Sequence, residues 1–191
     1  EIFVSYPDQV MVLHLTADQP GRLSFTCTLN RPERYRTYVD KDHLVMTGSL
    51  HDGKGGDNLT YMARLQVIAE NGTVTYGDSS VSVSEADEVI LLLAASTDYV
   101  LDYPDFKGGD VVKLSSQNIE QAGSKSPGQL LASHLEEYQQ YFERVRFDIT
   151  PEQHEPVPTD ERLARFRETG SDLHLVELLF QYGRYLLISS S

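Results

Sequence analysis

The stretch Ala86–Tyr99, ADEVILLLAASTDY, decides how the first half of this chain is read. From Val89 to Ala95 it is apolar without a break. A strand with one wet face alternates apolar and polar residues, so an unbroken run predicts a strand covered on both faces. The segments before it do alternate. EIFVSYP (1–7), QVMVLHLTAD (9–18), RLSFTCTLN (22–30), HLVMTGSL (43–50), LTYMARLQVIAE (59–70) and TVTYGDSSVSVSE (73–85) mostly show the two-residue period of a half-buried strand. Turn residues separate them in DQPGR, HDGKGGDN and ENGT, and each reads as a hairpin. Asn71-Gly72 predicts a type I′ turn, which needs positive φ at both central residues. Strands at this spacing predict an antiparallel β-sandwich.

Beyond Val100 the pattern changes to helices. LDYPDFKGGD (101–110) is a Pro- and Gly-containing exit loop, and VVKLSSQNIEQA (111–122) a short helix. SPGQLLASHLEEYQQYFERV (126–145) is a stronger one, with Ser126 at the N-cap and Pro127 at the first helical position. Leu131, Leu135, Tyr138, Phe142 and Val145 form its predicted apolar stripe. RFDIT (146–150) reads as a short strand. PEQHEPVPTDERLARF (151–166) opens as a stiff linker, after which Thr159 caps a helix with Asp160 and Glu161 at its positive end. Ser171 and Asp172 start the last helix. In it LVELLFQYGRYLLISSS (175–191) is apolar on nearly every side, so it should be buried in a larger protein. Strands followed by helices predict segregated layers or domains, not alternating β/α units.

The totals narrow the function. The chain has 191 residues, 29 acids against 16 bases and a formal net charge of −13. That balance argues against nucleic acid and against an anionic membrane surface as partners. No segment has the run of about 20 apolar residues a span needs. Glu177, Gln181, Gly183 and Arg184 interrupt the one that comes nearest. The single cysteine, Cys27, excludes an internal disulfide and reads as a small buried thiol. The chain opens inside a strand without an initiator Met or signal peptide, and both ends read as cut from a longer polypeptide.

Residue chemistry assembles no active site. His14, His51, His134 and His174 show no helical metal spacing, so no metal and no cofactor is expected. Glu136-Glu137, Asp160-Glu161 and Asp172 with Glu177 could supply the two carboxylates of a glycosidase. Solvated faces and helix caps account for them more simply. Glu177, inside the apolar helix, should meet a polar partner or line a cavity. The Gly-rich loop 48–58 lacks the context of a phosphate cradle, and the terminal serines lack a nucleophile elbow. The sequons at Asn58 and Asn71 matter only in a eukaryotic secretory protein. Eleven Tyr and no Trp weaken the reading as a free-standing sugar-binding module.

Several stretches together resemble one family. EIFVSYPDQVMVLHLTADQPGRLSFT, ADEVILLLAASTDY, LLASHLEEYQQYFERVRFDI, PTDERLARF and the closing FQYGRYLLISSS are similar, in order, to bacterial glycoside hydrolases of family 95, the α-L-fucosidase-type enzymes. The resemblance implies part of an N-terminal β-supersandwich at 1–105, a helical linker at 106–157 and the start of an (α/α)₆ barrel at 158–191. It implies an inverting hydrolase of α-L-fucosides, or of related α-L-galactosides, in a bacterial secreted or periplasmic setting. In the family a glutamic acid protonates the leaving oxygen, and an aspartate working with asparagines activates water. Those residues would lie in the barrel beyond Ser191, so no catalytic residue is assigned within the chain. The implied partners are a glycan substrate bound by the barrel, the missing sandwich half and the missing barrel helices. An isolated chain is then expected to be inactive and to self-associate. The competing reading is a non-catalytic β-sandwich module for carbohydrate or protein binding.

Overall fold

The structure is a computed structural model and describes residues 1–54, 56–149 and 157–190. Among the described residues two antiparallel sheets come first and four helices follow, as the sequence pattern requires. The strands are β1 (Ile2–Ser5), β2 (Val10–Thr16), β3 (Leu23–Thr28), β4 (Tyr35–Asp40), β5 (His43–His51), β6 (Asp57–Glu70), β7 (Thr73–Tyr76), β8 (Ser80–Ala86) and β9 (Glu88–Thr97). The helices are α1 (Val111–Gly123), α2 (Pro127–Phe142), α3 (Thr159–Thr169) and α4 (Leu173–Ser190). The chain forms two compact units, Glu1–His134 and Leu135–Ser191.

In the first unit a six-stranded sheet runs β1-β2-β9-β6-β5-β4, and a three-stranded sheet runs β3-β8-β7. Strand β9 is central, between β2 and β6, and its apolar run is covered on both faces. Val89 and Leu91 join Leu44, Leu65, Val67, Val81 and Val83 in the core between the two sheets. Leu92 and Ala94 join Val10, Val12, Ile119, Ala122 and Leu130 under the helices. Alternation along β2 and β6 follows from the same geometry, because successive side chains leave opposite faces. Asp110 caps α1, its Oδ1 accepting from the Val112 and Lys113 amides at 3.1 and 3.0 Å. Ser126 and Gln129 form a reciprocal capping box at the start of α2, at 2.9 and 3.3 Å.

Three expectations about turns need correction. HDGKGGDN does close a hairpin, since β5 pairs with β6. DQPGR and ENGT do not, because each carries the chain from the six-stranded to the three-stranded sheet. Asn71 has φ of 51°, but positive φ does not extend to Gly72, so the turn is not type I′. Gly72 is needed for space instead: a Cβ there would lie 2.5 Å from the Ala86 Cβ. Asp87 ties these corners together. Its carboxylate accepts from the Gly21 amide at 2.6 Å and the Asn71 side chain at 3.0 Å, and its own amide donates to the Glu70 carbonyl at 3.0 Å. TVTYGDSSVSVSE is two strands, β7 and β8, paired as a hairpin. Strand β4 escaped the sequence reading.

In the helical half the helices form about where expected, α2 ending at Phe142 short of Val145, but three local readings fail. Residues 146–149 are not a strand; the Arg146 guanidinium pairs with Asp148 there at 3.1 Å. Most of the proline linker, 151–156, lies outside the described residues. Thr159 is the first helical residue of α3, not its cap: Pro158 holds the N-cap position without a side-chain bond. Asp160 and Glu161 do occupy the first turn. Along α2 the fully buried side chain is Leu130, off the predicted stripe, whereas Leu135 is exposed, as is Val145 beyond the end of the helix. Tyr138 and Phe142 do pack, their rings stacked at 5.3 Å, and Tyr138 also meets Tyr185 of α4. Leu175 is the buried residue of α4, while Leu178, Leu179, Tyr182, Leu186 and Leu187 are exposed. No helix among the described residues is long and apolar enough to cross a membrane.

Candidate functional site

Toward the start of β6 and the end of β9, side chains line open hollows instead of the inter-sheet core. Cross-strand partners Ala63 with Ala95 and Tyr61 with Thr97 form the floor of the first, about 460 Å³ in volume, with Met46 and Arg31 at its sides. The Arg31 guanidinium lies 4.7 Å over the Tyr61 ring, a cation–π contact. Tyr61 donates its hydroxyl to the Arg34 carbonyl at 3.1 Å. Gly48 permits this close approach, since a Cβ there would sit 1.9 Å from the same carbonyl oxygen.

A second hollow, about 410 Å³, lies one register step further along the same strand pair. Leu59 and Tyr99 replace Tyr61 and Thr97, and Asn58, Asp105, Phe106 and Lys107 complete its lining. Among the described residues that line the two hollows, Asp105 is the one carboxylate. Hydrolysis with an acid and a base needs two.

The opposite face of the six-stranded sheet holds a polar cluster that sequence reading missed. Arg64 is 4% exposed, and its Nη1 donates to Asp40 at 3.1 Å. His43, beside it on β5, meets Asp42 through Nδ1 at 2.9 Å. Arg64 Nε, Gln66 Oε1 and His43 Nε2 are buried without a hydrogen-bond partner among the described residues. The signal was present in LTYMARLQVIAE, where Met62, Arg64 and Gln66 share one face. Burial pushes the His43 imidazole below its ordinary value of 6.5, Asp42 opposes that, and Arg64 reinforces it. The folded protein therefore keeps His43 neutral where the unfolded chain protonates it. Stability is expected to fall as pH drops below about 6.5, and the fall ends at the lower folded value. His43→Asn should flatten the slope between about pH 7 and pH 5 in urea titrations. An unchanged slope would assign the pH dependence elsewhere.

The four candidate histidines, Asp172, Glu161 and Glu177 have structural partners. His14 Nε2 pairs with Glu88 at 2.9 Å, His51 Nδ1 accepts from the Gly53 amide at 2.7 Å, and His134 stacks on Phe3 at 5.3 Å. His174 Nδ1 lies 2.9 Å from Arg162, which also holds Asp172. Glu177 finds the polar partner expected of it, accepting from the Ile149 amide. Glu161 lies 3.8 Å from Arg165. Cys27 is half-buried against the inter-sheet core, and burial raises its thiol pKa. No group of three His, Cys, Asp or Glu among the described residues could hold a metal ion.

Two family models match the chain in succession. Residues 1–102 match "Glycosyl hydrolase family 65, N-terminal domain", and residues 126–191 match "Glycosyl hydrolase family 95 catalytic domain". Curated relatives align with the whole chain. Alpha-L-fucosidase 2 of Arabidopsis thaliana is 33% identical, with 26% of its own length covered. Probable alpha-fucosidase A of Aspergillus niger is 31% identical with 25% covered, and that of Aspergillus oryzae 24% identical with 28% covered. The chain belongs over residues 1–102 to the family 65 N-terminal domain, and over residues 126–191 it is similar to the family 95 catalytic domain. The chain spans about a quarter of the length of these curated relatives. They come from a plant and two fungi, and none of them supports the expected bacterial setting.

Proposed function

We propose that this chain is the sandwich and leading helical segment of an α-L-fucoside hydrolase, and that it supports the helical domain in which the chemistry occurs. The observation that carries the reading is the succession of the two family matches, sandwich first and catalytic-domain segment second, along a chain whose relatives are named α-fucosidases. The catalytic pair is proposed to lie outside residues 1–191. Inverting hydrolysis needs two carboxylates about 6.5–9.5 Å apart, with room for a water between them. The hollows supply one, Asp105, and Asp172, Glu161 and Glu177 are engaged with Arg162, Arg165 and the Ile149 amide.

The second unit supports the same reading. Helix α4 exposes Leu178, Leu179, Leu186 and Leu187, a surface that water disfavours. Further helices of a protein of the relatives' length would cover it. The 191-residue chain alone is expected to self-associate in sedimentation velocity and to leave a 4-nitrophenyl α-L-fucoside intact. A protein of the relatives' length should hydrolyse that substrate, with β-L-fucose as the first anomer seen by NMR. Turnover by residues 1–191 alone, or no turnover by the longer protein, would defeat the proposal. Release of the α-anomer would defeat its inverting part.

A further inference from the structure

The loop between β9 and α1 is built more firmly than an exit loop requires. The Asp98 side chain accepts from the Thr60 amide at 2.9 Å, and the Asp98 carbonyl accepts from the Gly108 and Gly109 amides at 2.9 and 3.0 Å. Tyr99 bridges to Lys107, the Val100 amide donates to the Phe106 carbonyl at 3.2 Å, and the Phe106 amide donates to Asp102 at 2.8 Å. Gly109 suits this closure, because a Cβ there would come within 3.1 Å of the Thr97 carbonyl oxygen and press on the Asp98 backbone. Each end of the loop is thereby anchored on the β6–β9 pair.

What the loop displays is aromatic. Tyr99 and Phe106 lie nearly parallel, 3° apart in plane with centroids at 6.3 Å. Tyr103 stands at 81° to Phe106 with centroids at 6.1 Å, and it is 84% exposed. Two ring planes thus meet close to a right angle: Tyr99 and Phe106 line the 410 Å³ hollow, and Tyr103 stands against Phe106 without lining it. Ordinary folding would bury such rings, each of which carries a large apolar area. Polar groups rim them. Asp105 can only accept hydrogen bonds, and Lys107 gives one of its three donors to the Asn58 carbonyl at 2.8 Å, leaving two.

We propose that Tyr99, Tyr103 and Phe106 form a saccharide-binding platform on the sandwich, with Asp105 and Lys107 bonding the sugar hydroxyls. A pyranose ring has an apolar C–H face and a rim of hydroxyls, and this corner offers the complement of both. The hollow also falls in the 300–1,000 Å³ range of small-ligand sites. The absence of Trp does not stand against the platform, because Tyr and Phe rings serve the same contact. The inference rests on the reading of the protein as a glycan hydrolase and assigns the platform to holding the glycan, not cleaving it.

The test is a titration of ¹⁵N-labelled chain with an α-L-fucosylated trisaccharide and with the same oligosaccharide lacking fucose. Amide shifts are expected to concentrate at Tyr99–Gly109. Tyr103→Ala should weaken binding about three- to tenfold, and Tyr103→Phe should keep it within about twofold. Because Tyr103 is so exposed, its loss leaves the fold intact, which unchanged amide shifts elsewhere would verify. Absence of binding by both sugars, shifts that map elsewhere, or an alanine variant that binds like the parent would each overturn the platform. Aryl fucoside hydrolysis by the longer protein is scored separately. If hydrolysis persists and the shifts are missing, the platform alone fails; if hydrolysis is missing, the hydrolase reading fails.

Discussion

Replacing Asp8 with alanine is expected to destabilise the first unit by about 3 kcal/mol, among the largest single losses available to it. The Asp8 side chain is 3% exposed. Its Oδ2 accepts from the fully buried Ser5 hydroxyl at 2.6 Å, and its Oδ1 meets Lys125 Nζ at 2.5 Å. These contacts join the β1–β2 turn to the link between α1 and α2. The alanine variant leaves a buried hydroxyl without its acceptor and an ammonium without its counter-charge. Lys125 is 38% exposed, so water relieves part of the second penalty, and the ion pair by itself contributes less than a fully buried one. Asp8→Asn separates the two contributions. It keeps an acceptor for Ser5 and removes the charge, so it should lie within about 1 kcal/mol of the parent. Amide exchange in β2 and β9 reads the change without assuming that both units unfold together. An alanine variant within about half a kcal/mol of the parent would show that the clasp does not stabilise the sheet.

How much of this was legible in the sequence depends on how local the deciding force was. The β9 run could be read because two-sided burial leaves no polar position, and Val89, Leu91, Leu92 and Ala94 occupy the two cores as that requires. Helix starts were legible wherever a cap is a short-range bond, as at Ser126. The corners were not. Asn71-Gly72 has hairpin chemistry, but its conformation answers to Asp87 and Ala86, which are distant in sequence. Strand β4 was missed because RYRTYVD sits at a sheet edge, where its alternation carries Arg36 and Tyr38 on a face free to stay polar. The aromatic loop read as an exit because nothing in LDYPDFKGGD announces that Tyr99 and Lys107 pair across it. The family resemblance rested on ordered stretches along the chain, and the successive matches support it over both halves.

Asp172 carries the second large prediction, in the unit that matches the family 95 catalytic domain. Its Oδ1 accepts from the Leu175 amide at 2.9 Å, which caps the first turn of α4. The same carboxylate takes Arg162 of α3 bidentately, through Nε at 3.0 Å and Nη2 at 2.6 Å, and the third guanidinium nitrogen reaches His174. Gly170, in the left-handed region at φ 65°, lets the chain reverse between the helices so that this fork can close. The Arg162 and Asp172 side chains are 11% and 21% exposed, and the bonds to Asp172 hold the guanidinium pKa above its ordinary range. Asp172→Ala removes the cap and strands a partly buried cation together. The expected loss is about 3 kcal/mol, or roughly a hundredfold faster amide exchange in α3 and the first turn of α4. Arg162→Lys should recover only part of it, since a point charge cannot make the two parallel bonds of a guanidinium. Asp172→Asn should keep the cap and lose the ion pair, falling between. A cap-only role predicts that the asparagine variant matches the parent while Arg162→Ala is silent. The bidentate geometry argues against that outcome, because the carboxylate that caps α4 is oriented by the guanidinium that crosses from α3.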